Sequence, residues 1–335
     1  MATRADVAAL AGVSESTVSY VLSGKRRISA PTRERVEQAM ATLGYTKNPV
    51  ASSLAGGRSN VIAWHYPIGE HGLSLTAFEY LSAASAAAAE RHHHLLLWTG
   101  PLEDSDALSR LVATQLVDGV ILTEVVMDDP RVAALRAGGL PLTLVGRPRE
   151  SEDLAFVDAD FERMASLALD HLAGLGHERL VFLDADIELP RIGYGPVVRI
   201  TDALTRLAAE RGLHLDVLSA GTTADDGREL VRAERLPPAT AVLGFNPLTL
   251  AGVMDGVAAQ GRSVPDDLSV LALGVTPATA ALTSPPLATI CVPSAVMGQR
   301  AVAVLGDEID GRGTRQELVA PTLHPGASTG PAPRG

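Results

Sequence analysis

Short polar side chains cluster at the start of one helical segment near the N-terminus. Residues with hydroxyl or carboxylate groups follow the Gly12-Val13 turn, in the order Ser14-Glu15-Ser16-Thr17. Side chains of this length at a helix N-terminus can bond to base edges in the major groove of DNA or to phosphates. An ordinary helical hairpin with a serine cap has the same pattern. The spacing favours DNA binding and leaves the helical hairpin as an alternative.

Three short helices would position these side chains. The pattern predicts a helix over residues 5–10, a second from 14 to 22 with Ser14 as its cap, and a third from about Ser29 to Gly44. Apolar residues at helical spacing predict the inner face: Val7, Leu10, Val13, Val18 and Val21. This is the arrangement of a helix-turn-helix, whose second helix enters the major groove.

The charge of the chain is divided unevenly. Residues 1–60 hold eight Lys and Arg and four acids, a net +4, which leaves −15 for the rest of a chain whose total is −11. A basic segment joined to an acidic body suits phosphate contact at one end only.

From about residue 60 the sequence alternates between strand and helix patterns. Apolar runs of strand length occupy residues 61–64, 95–98, 117–122, 140–145, 180–183, 241–245 and 268–273. Amphipathic stretches lie between them at 78–90, 106–115, 161–174, 197–211 and 248–260. This order predicts parallel sheets covered by helices, and the number of elements favours two doubly wound subdomains.

Other features narrow the class of protein. A single cysteine, Cys291, and the absence of a signal peptide or long apolar run predict a cytoplasmic protein without a membrane span. No P-loop, dinucleotide fingerprint or acid/base set occurs, so we expect neither an enzyme nor a cofactor. The triplet His92-His93-His94 is interpreted as a solvated turn, and no metal site is expected.

Residues 6–57 resemble the headpiece of the lactose-repressor/galactose-repressor family. The resemblance lies in Ala11-Gly12-Val13-Ser14, Thr17-Val18-Ser19, Ser29 with Thr32-Arg33, Arg35-Val36, Leu43-Gly44-Tyr45 with Asn48, and Ala51 with Leu54. It continues more loosely over the body, for example in residues 117–122, 175–180 and 264–270. It implies an all-α helix-turn-helix headpiece followed by an α/β body of two doubly wound parallel-sheet subdomains, like the periplasmic binding proteins.

The resemblance also implies roles for single residues of the headpiece. Glu15, Ser16 and Tyr20 stand where the family reads bases, and Tyr20 replaces an arginine common in relatives. The positions expected to hold the phosphate backbone are Thr3, Ser14, Thr17, Ser19, Ser29, Thr32, Tyr45 and Asn48, and Arg27 is a further candidate for DNA contact. A hinge helix beginning at Asn48 would enter the minor groove with Ala51 and Ser52, and Leu54 would wedge between base pairs there.

The implied organisation is a DNA-binding domain over 1–47, a hinge over 48–58, a body over 59–324 and a flexible tail over 325–335. Within the body, subdomain one would span about 61–157 plus 293–324, and subdomain two about 158–290. An effector would bind between them, and the candidate contacts are Phe78, Arg147, Asp158, Arg191 and Asn246. Arg147 and Asp158 could equally be an ion pair between crossing segments.

Several polar groups that relatives use for sugars are missing. Asn246-Pro247 replaces an Asn-Asp pair, Pro196 replaces an arginine, and Gly274-Val275-Thr276 replaces Phe-Asp-Asp. The sequence therefore predicts a dimeric repressor that binds a palindromic double-stranded operator and responds to a small-molecule effector. A body that responds to a non-sugar ligand, or to none, is the alternative. A sugar-binding protein without DNA function and a sugar-processing enzyme are less consistent with the headpiece.

Overall fold

A computed structural model of the chain describes residues 2–23, 26–45, 58–67, 75–100, 110–111, 113–114, 116–184 and 193–333. The headpiece consists of α1 (Arg4–Ala11), α2 (Glu15–Ser23) and α3 (Ala30–Leu43). The helices of the body are α4 (Leu75–Glu90), α5 (Pro130–Ala137), α6 (Phe161–Gly174), α7 (Gly195–Glu210), α8 (Ala224–Arg232), α9 (Pro247–Ala259), α10 (Pro277–Ala280) and α11 (Ser294–Ile309). Within these ranges no helix has the length and apolar character that a membrane span needs.

The strands of the body form two six-stranded sheets. Their bounds are β1 (Val61–His65), β2 (His94–Trp98), β3 (Gly119–Leu122), β4 (Leu142–Val145), β5 (Ala155–Ala159), β6 (Arg179–Asp184), β7 (His214–Ser219), β8 (Ala241–Gly244), β9 (Ser269–Leu273), β10 (Ala288–Cys291), β11 (Gln316–Val319) and β12 (Thr322–His324). The first sheet has the order β11-β5-β4-β3-β1-β2, and the second has β12-β10-β9-β8-β6-β7. Every pairing is parallel except that of β10 with β12.

The headpiece encloses a small core of its own. Val7, Val18 and Val36 are fully buried in it. The prediction for Leu10 was wrong, because its side chain is 54% exposed and Ala8 and Ala11 face the core instead. At 100° per residue, position 10 lies about 60° from Val7, on the side away from Ala8 and Ala11. Small residues on that buried face allow α1 to pack closely on α3.

Both sheets are covered by helices, because successive strand residues face opposite sides. Ile62 and Trp64 of β1 pack into a core that contains residues of α4 and α11, while Ala63 packs toward α5. In the second sheet, Phe182 packs toward α6 and α7, and Val181 packs toward α8 and α9. This alternation explains why the central strands are almost continuously apolar.

The chain crosses between the sheets three times. It passes from β5 to α6, from β10 to α11, which packs on the first sheet, and from β11 to β12. The predicted boundary of subdomain one at residue 324 was therefore wrong for β12, which belongs to the second sheet.

The predicted flexible tail is packed over most of its length. Ser328 is fully buried, and its hydroxyl donates to the Val270 carbonyl at 2.5 Å. The Gly330 amide donates to Ser269 Oγ at 3.0 Å, and the Ala332 amide donates to the Leu175 carbonyl at 2.8 Å. Glycine and proline content predicted disorder here, but carbonyl oxygens and the Ser269 hydroxyl in the second subdomain supply partners that the sequence pattern does not reveal.

Candidate nucleic-acid interface and ligand cavity

Helix α2 presents a polar face above a buried apolar one. Val18 and Val21 are buried, while Glu15, Ser16 and Tyr20 are exposed. Position 20 lies four residues after position 16, so the two side chains share one face of the helix. The surface formed by Glu15, Ser16, Ser19 and Tyr20 is called the α2 face below.

Ser14 caps this helix, as the sequence predicted. Its Oγ accepts a hydrogen bond from the Thr17 amide at 3.2 Å. The same oxygen lies 2.7 Å from the Ser16 hydroxyl and 2.9 Å from that of Thr17. These contacts fix the side chains at the end of the helix where a phosphate would meet its free amides.

The aromatic ring of Tyr20 is held by a basic neighbour. The guanidinium carbon of Arg26 lies 5.6 Å from the ring centroid, within the range of a cation–π contact. Arg27 is exposed beside it. The α2 face therefore combines a flat aromatic group with positive charge, a pairing that suits a DNA groove and its flanking phosphates.

Three further phosphate candidates have local partners. Thr3 forms a capping box with Asp6, in which the threonine hydroxyl donates to Asp6 Oδ2 at 2.7 Å and accepts from the Asp6 amide. Ser29 precedes α3, and its hydroxyl lies 2.8 Å from that of Thr32 instead of capping an amide. Tyr45 is half-buried against the headpiece core. Asn48, Ala51, Ser52 and Leu54 lie outside the described residues.

A cavity of about 400 Å³ separates the two sheets of the body. Read from the other edge, the sheets have the orders β2-β1-β3-β4-β5-β11 and β7-β6-β8-β9-β10-β12. The strand order therefore reverses direction between β1 and β3 in the first sheet and between β6 and β8 in the second, and each of these places is a topological switch point. Ligands of open α/β sheets bind beyond the carboxyl ends of the strands at such points. Tyr66 and Glu124 follow β1 and β3, and Asn246 follows β8, so both switch points contribute to the wall.

The cavity wall is unusually aromatic for this chain. Only twelve residues in the sequence are Phe, Trp or Tyr, and six of them line the cavity. These are Trp64, Tyr66, Tyr80, Phe161, Tyr194 and Phe245. Trp64 is 1% exposed, and its Nε1 has no hydrogen-bond acceptor among the described residues. The wall therefore favours a ligand with a flat apolar part.

Glu124 brings a carboxyl group to this apolar wall. Burial raises the pKa of Glu124, although a hydrogen bond from Tyr194 opposes that shift. Its backbone adopts a φ of 53°, a conformation that costs free energy for a residue other than glycine. Arg131 donates to the Glu124 carbonyl oxygen at 2.9 Å and holds the residue in this conformation.

Asp158 is the second acid of the cavity, and it has cationic neighbours. Arg147 Nε lies 3.2 Å from Asp158 Oδ2. Burial raises the pKa of Asp158 to about 6, while the charges of Arg199 and Arg147 lower it. Asp158 lines the cavity, but Arg147 turns its guanidinium toward Asp158 and the Phe156 ring, 5.5 Å away. Arg147 therefore has the ion-pair role that was the alternative to ligand contact.

The remaining effector candidates differ in their placement. Asn246 lines the cavity, and its Oδ1 accepts from the Leu248 and Thr249 amides, so it also caps α9. Phe78 does not line this cavity and is 58% exposed, so that prediction was wrong. On α4 it lies 100° from Ala77, which faces the core. Arg191 lies outside the described residues.

Two helices have their N-termini at the cavity, and each carries a proline in its first turn. Pro196 and Pro247 stand in the first turns of α7 and α9, and both line the cavity. A proline has no amide proton, and Asn246 already bonds the next two amides of α9. These helix ends therefore offer a hydroxyl or carboxylate ligand few free donors.

The sequence did not identify Glu124 or the aromatic residues of the wall as candidate ligand contacts. One signal was present, because Glu124 is the second residue after the buried strand β3 and Tyr66 directly follows β1. Tyr194 lies between two glycines, but its hydrogen bond to Glu124 depends on the second subdomain meeting the first.

A buried polar network supports the first switch point. Arg131 is 1% exposed and donates to Asp129 Oδ1 at 2.9 Å and Oδ2 at 2.6 Å. Its Nη1 lies 3.2 Å from His65 Nδ1, and His65 Nε2 lies 3.1 Å from the Gly100 carbonyl oxygen. Burial lowers the pKa of His65 to about 4, so the ring is neutral at pH 7 and Nε2 carries its proton.

Comparison with known protein families identifies both parts of the chain. Residues 3–48 match the profile of bacterial regulatory proteins of the lacI family. Residues 169–329 match a periplasmic binding protein-like domain.

Comparison with individual proteins covers nearly the whole chain. It is 32% identical to the HTH-type transcriptional regulator CelR of Thermobifida fusca, over 92% of each chain. It is 30% identical to the HTH-type transcriptional regulator MalR of Streptomyces coelicolor, over 93% of this chain and 91% of MalR.

Solved structures share the fold. A CelR–cellobiose complex superposes with a TM-score of 0.72 and 26% identity, over 98% of this chain and 100% of that one. A lac repressor dimer bound to operator and the anti-inducer ONPF superposes with a TM-score of 0.81 and 24% identity, over 98% of this chain and 99% of that one.

Proposed function

The chain belongs to the LacI family of bacterial transcriptional regulators, and from that premise we propose that it is a homodimeric repressor of a palindromic operator. The observation that carries this proposal is the exposed α2 face on a basic headpiece with its own core. A repressor of bacterial genes acts in the cytoplasm, where the DNA is.

Base reading is assigned to the α2 face. Glu15 can accept a hydrogen bond from cytosine N4, and Ser16 can bond to either partner of a base pair. Tyr20, where relatives often carry arginine, offers ring contact in place of a bidentate guanine contact. The residues that hold phosphates are Ser14, Thr17, Ser19, Arg27, Ser29, Thr32, Tyr45 and Asn48. Thr3 can join them only if its capping box opens or a backbone group makes the contact.

The hinge is assigned by resemblance to residues 48–58. A helix this short is unstable alone in water, so two copies would form it together in the minor groove. The body is attached directly behind it. Arg58 pairs with Asp310 at 2.8 Å, and the Ser59 and Asn60 amides donate to the two Asp118 carboxylate oxygens. Because these contacts fix residues 58–60 to the first subdomain, a movement of that subdomain would also move residue 58.

Dimerisation is assigned to the β2 edge of the first sheet. Leu96 and Leu97 of this edge strand and Phe78 of the adjacent helix α4 are exposed. Exposed apolar side chains beside an unpaired strand edge favour association. A twofold dimer would present two α2 faces to two half-sites.

The cavity between the sheets is assigned to a small-molecule effector. Occupying it would change the angle between subdomains, separate the paired hinges and release the operator. CelR was solved with cellobiose, but the prolines at this cavity remove donors that a sugar would need. This contrast favours an effector that is not a sugar.

A nuclease footprint on DNA upstream of the protein's own gene tests the DNA-binding proposal. We expect protection of a near-palindrome whose half-sites are about one helical turn apart. Uniform protection along the fragment, with no sequence preference, would contradict it.

Leu54→Ala tests the hinge in a gel-shift titration. The variant should lose most operator affinity because the side chain that wedges the base step is gone, while the thermal transition of the body stays unchanged. Gln38→Ala, an exposed change on α3, is the matched control and should bind as the unaltered protein does. Equal affinity of both variants would rule out this role for Leu54.

A further inference from the structure

The cavity combines aromatic side chains with a carboxyl group, and this combination is selective for one class of ligand. Its wall holds half of all the aromatic residues in a chain with few of them. The same wall carries Glu124, a carboxyl group that receives a hydrogen bond from Tyr194. Aromatic faces and a half-buried carboxylate are both attractive to an organic cation.

The cations near the cavity already have acidic or carbonyl partners, although Arg199 Nη1 has no hydrogen-bond acceptor among the described residues. Arg147 lies 3.2 Å from Asp158, and Arg199 contributes its charge to the same acid. Arg131 places its side-chain nitrogens on Asp129, His65 and backbone carbonyls. Among the described residues, none forms an ion pair with the Glu124 carboxylate. The charge of Arg131 lowers the pKa of Glu124 without forming an ion pair with it, so a ligand that brings a positive charge into contact would stabilise this half-buried acid.

Other ligand classes fit less well. A sugar needs many polar partners, whereas Pro196 and Pro247 withhold amide protons and Asn246 Oδ1 is bonded within its own helix. An anion would lie next to Glu124 and Asp158. The Nε1 atom of Trp64 is buried in the wall and has no hydrogen-bond acceptor among the described residues. It is therefore a second group that could donate a hydrogen bond to a ligand or to water.

We propose that the cavity binds a small aryl-alkyl amine, with its ring among the aromatic side chains and its ammonium group against the Glu124 carboxylate. The volume of about 400 Å³ lies within the range of small-molecule sites. The inference rests on the proposed function only in treating this cavity as the effector site.

A ligand series on the full-length protein without DNA tests the proposal. Benzylamine, phenethylamine and tryptamine are titrated by calorimetry beside 2-phenylethanol, phenylacetate and cellobiose. We expect at least one of the amines to bind about tenfold or more tightly than 2-phenylethanol, since a charged hydrogen bond in a buried site contributes about that factor. Phenylacetate and cellobiose should bind more weakly still. Absence of binding by all three amines, or tighter binding of the alcohol, acid or sugar, would overturn the proposal.

Two variants locate the amine in the cavity. Glu124→Gln should reduce amine affinity about tenfold or more and leave that of 2-phenylethanol within about threefold, because only the charge is removed. Glu178→Gln removes one negative charge from an exposed position and should change neither affinity. Equal loss in both variants would indicate general electrostatic attraction and contradict the assignment to Glu124.

Operator release is measured separately by gel shift with the tightest amine. Release would connect the ligand to regulation. If the amine binds and the operator is retained, the ligand assignment stands and the proposed control of DNA binding fails.

Discussion

Buried polar residues at the end of β1 form one hydrogen-bond network, in which each side chain depends on the others for its partners. The guanidinium of Arg131 has partners on Asp129, on His65 and on the carbonyl oxygens of Thr123 and Glu124. His65 accepts at Nδ1 and donates from Nε2 to Gly100, which requires a neutral ring. Protonation would place a second positive charge beside Arg131. The geometry of the loops that carry Tyr66 and Glu124 therefore depends on one neutral histidine.

This dependence predicts a pH effect on stability. The pKa of His65 is about 4 in the folded protein and about 6.5 when unfolded. Between these values the unfolded chain binds the extra proton, so stability is full above about pH 6.5 and falls as pH is lowered toward 4. The change between pH 7 and pH 5 amounts to about 2 kcal/mol.

His65→Gln keeps an acceptor and a donor but cannot titrate. Urea unfolding of both proteins at pH 7 and pH 5 should show a decrease about 2 kcal/mol smaller in the variant. The raised pKa of Asp158 acts in the opposite direction, since its contribution is lost as pH rises from about 4 to about 6, but it is present in both proteins and cancels. An identical decrease in both would show that His65 is not the titrating group.

At the scale of elements, α8 and α9 approach each other at positions without side chains. A Cβ on Gly227 would lie 2.1 Å from the Thr249 carbonyl oxygen, and one on Gly252 would lie 2.0 Å from that of Ala224. Backbone atoms cannot yield to such contacts, so the two helices pack at this distance only with glycine at both positions. Asn246, which caps α9, is held at the cavity through this packing.

Gly252→Ala should destabilise the body by about 3 kcal/mol, because the helices must separate. The same substitution at Gly174, where a Cβ meets nothing within 4 Å, should stabilise α6 by about 0.5–1 kcal/mol. Apparent melting temperatures of the two variants should move in opposite directions. A drop of similar size in both would exclude close helix packing as the cause.

The edge strand β7 is an element that the hydrophobic pattern of the sequence did not reveal. It was not predicted, because its residues are only partly buried and alternate with polar ones. Central strands such as β3 and β9, buried on both faces, were recognised from their continuous apolar runs.

At the scale of the whole molecule, the two edges of the first sheet differ in their exposed apolar residues. Leu96 and Leu97 are exposed on the edge strand β2 and Phe78 on the adjacent helix α4, whereas Leu318 is exposed on β11 at the opposite edge. The proposed operator with two half-sites would require a twofold protein, and the edge with the larger apolar group is then the expected contact between protomers.

Phe78→Glu should weaken the dimer in sedimentation experiments and lower operator affinity with it, because a charge is buried at the contact. Leu318→Glu places the same charge on a side chain that is also exposed, 46% against 58% for Phe78, and should leave the dimer intact. Dissociation by Leu318→Glu alone would move the interface to the opposite edge.

The sequence by itself determined the features that depend on local pattern. The turn at Gly12, the Ser14 cap and the alternation of strands and helices follow from spacing and residue type, because their partners are only a few positions away. Tertiary structure decided the features that join distant segments. Glu124 meets Tyr194, Ser328 meets Val270, and six scarce aromatic residues form one wall only because two sheets close on each other. No periodicity along the chain encodes those contacts, so the chemistry of the cavity was visible only in the folded protein.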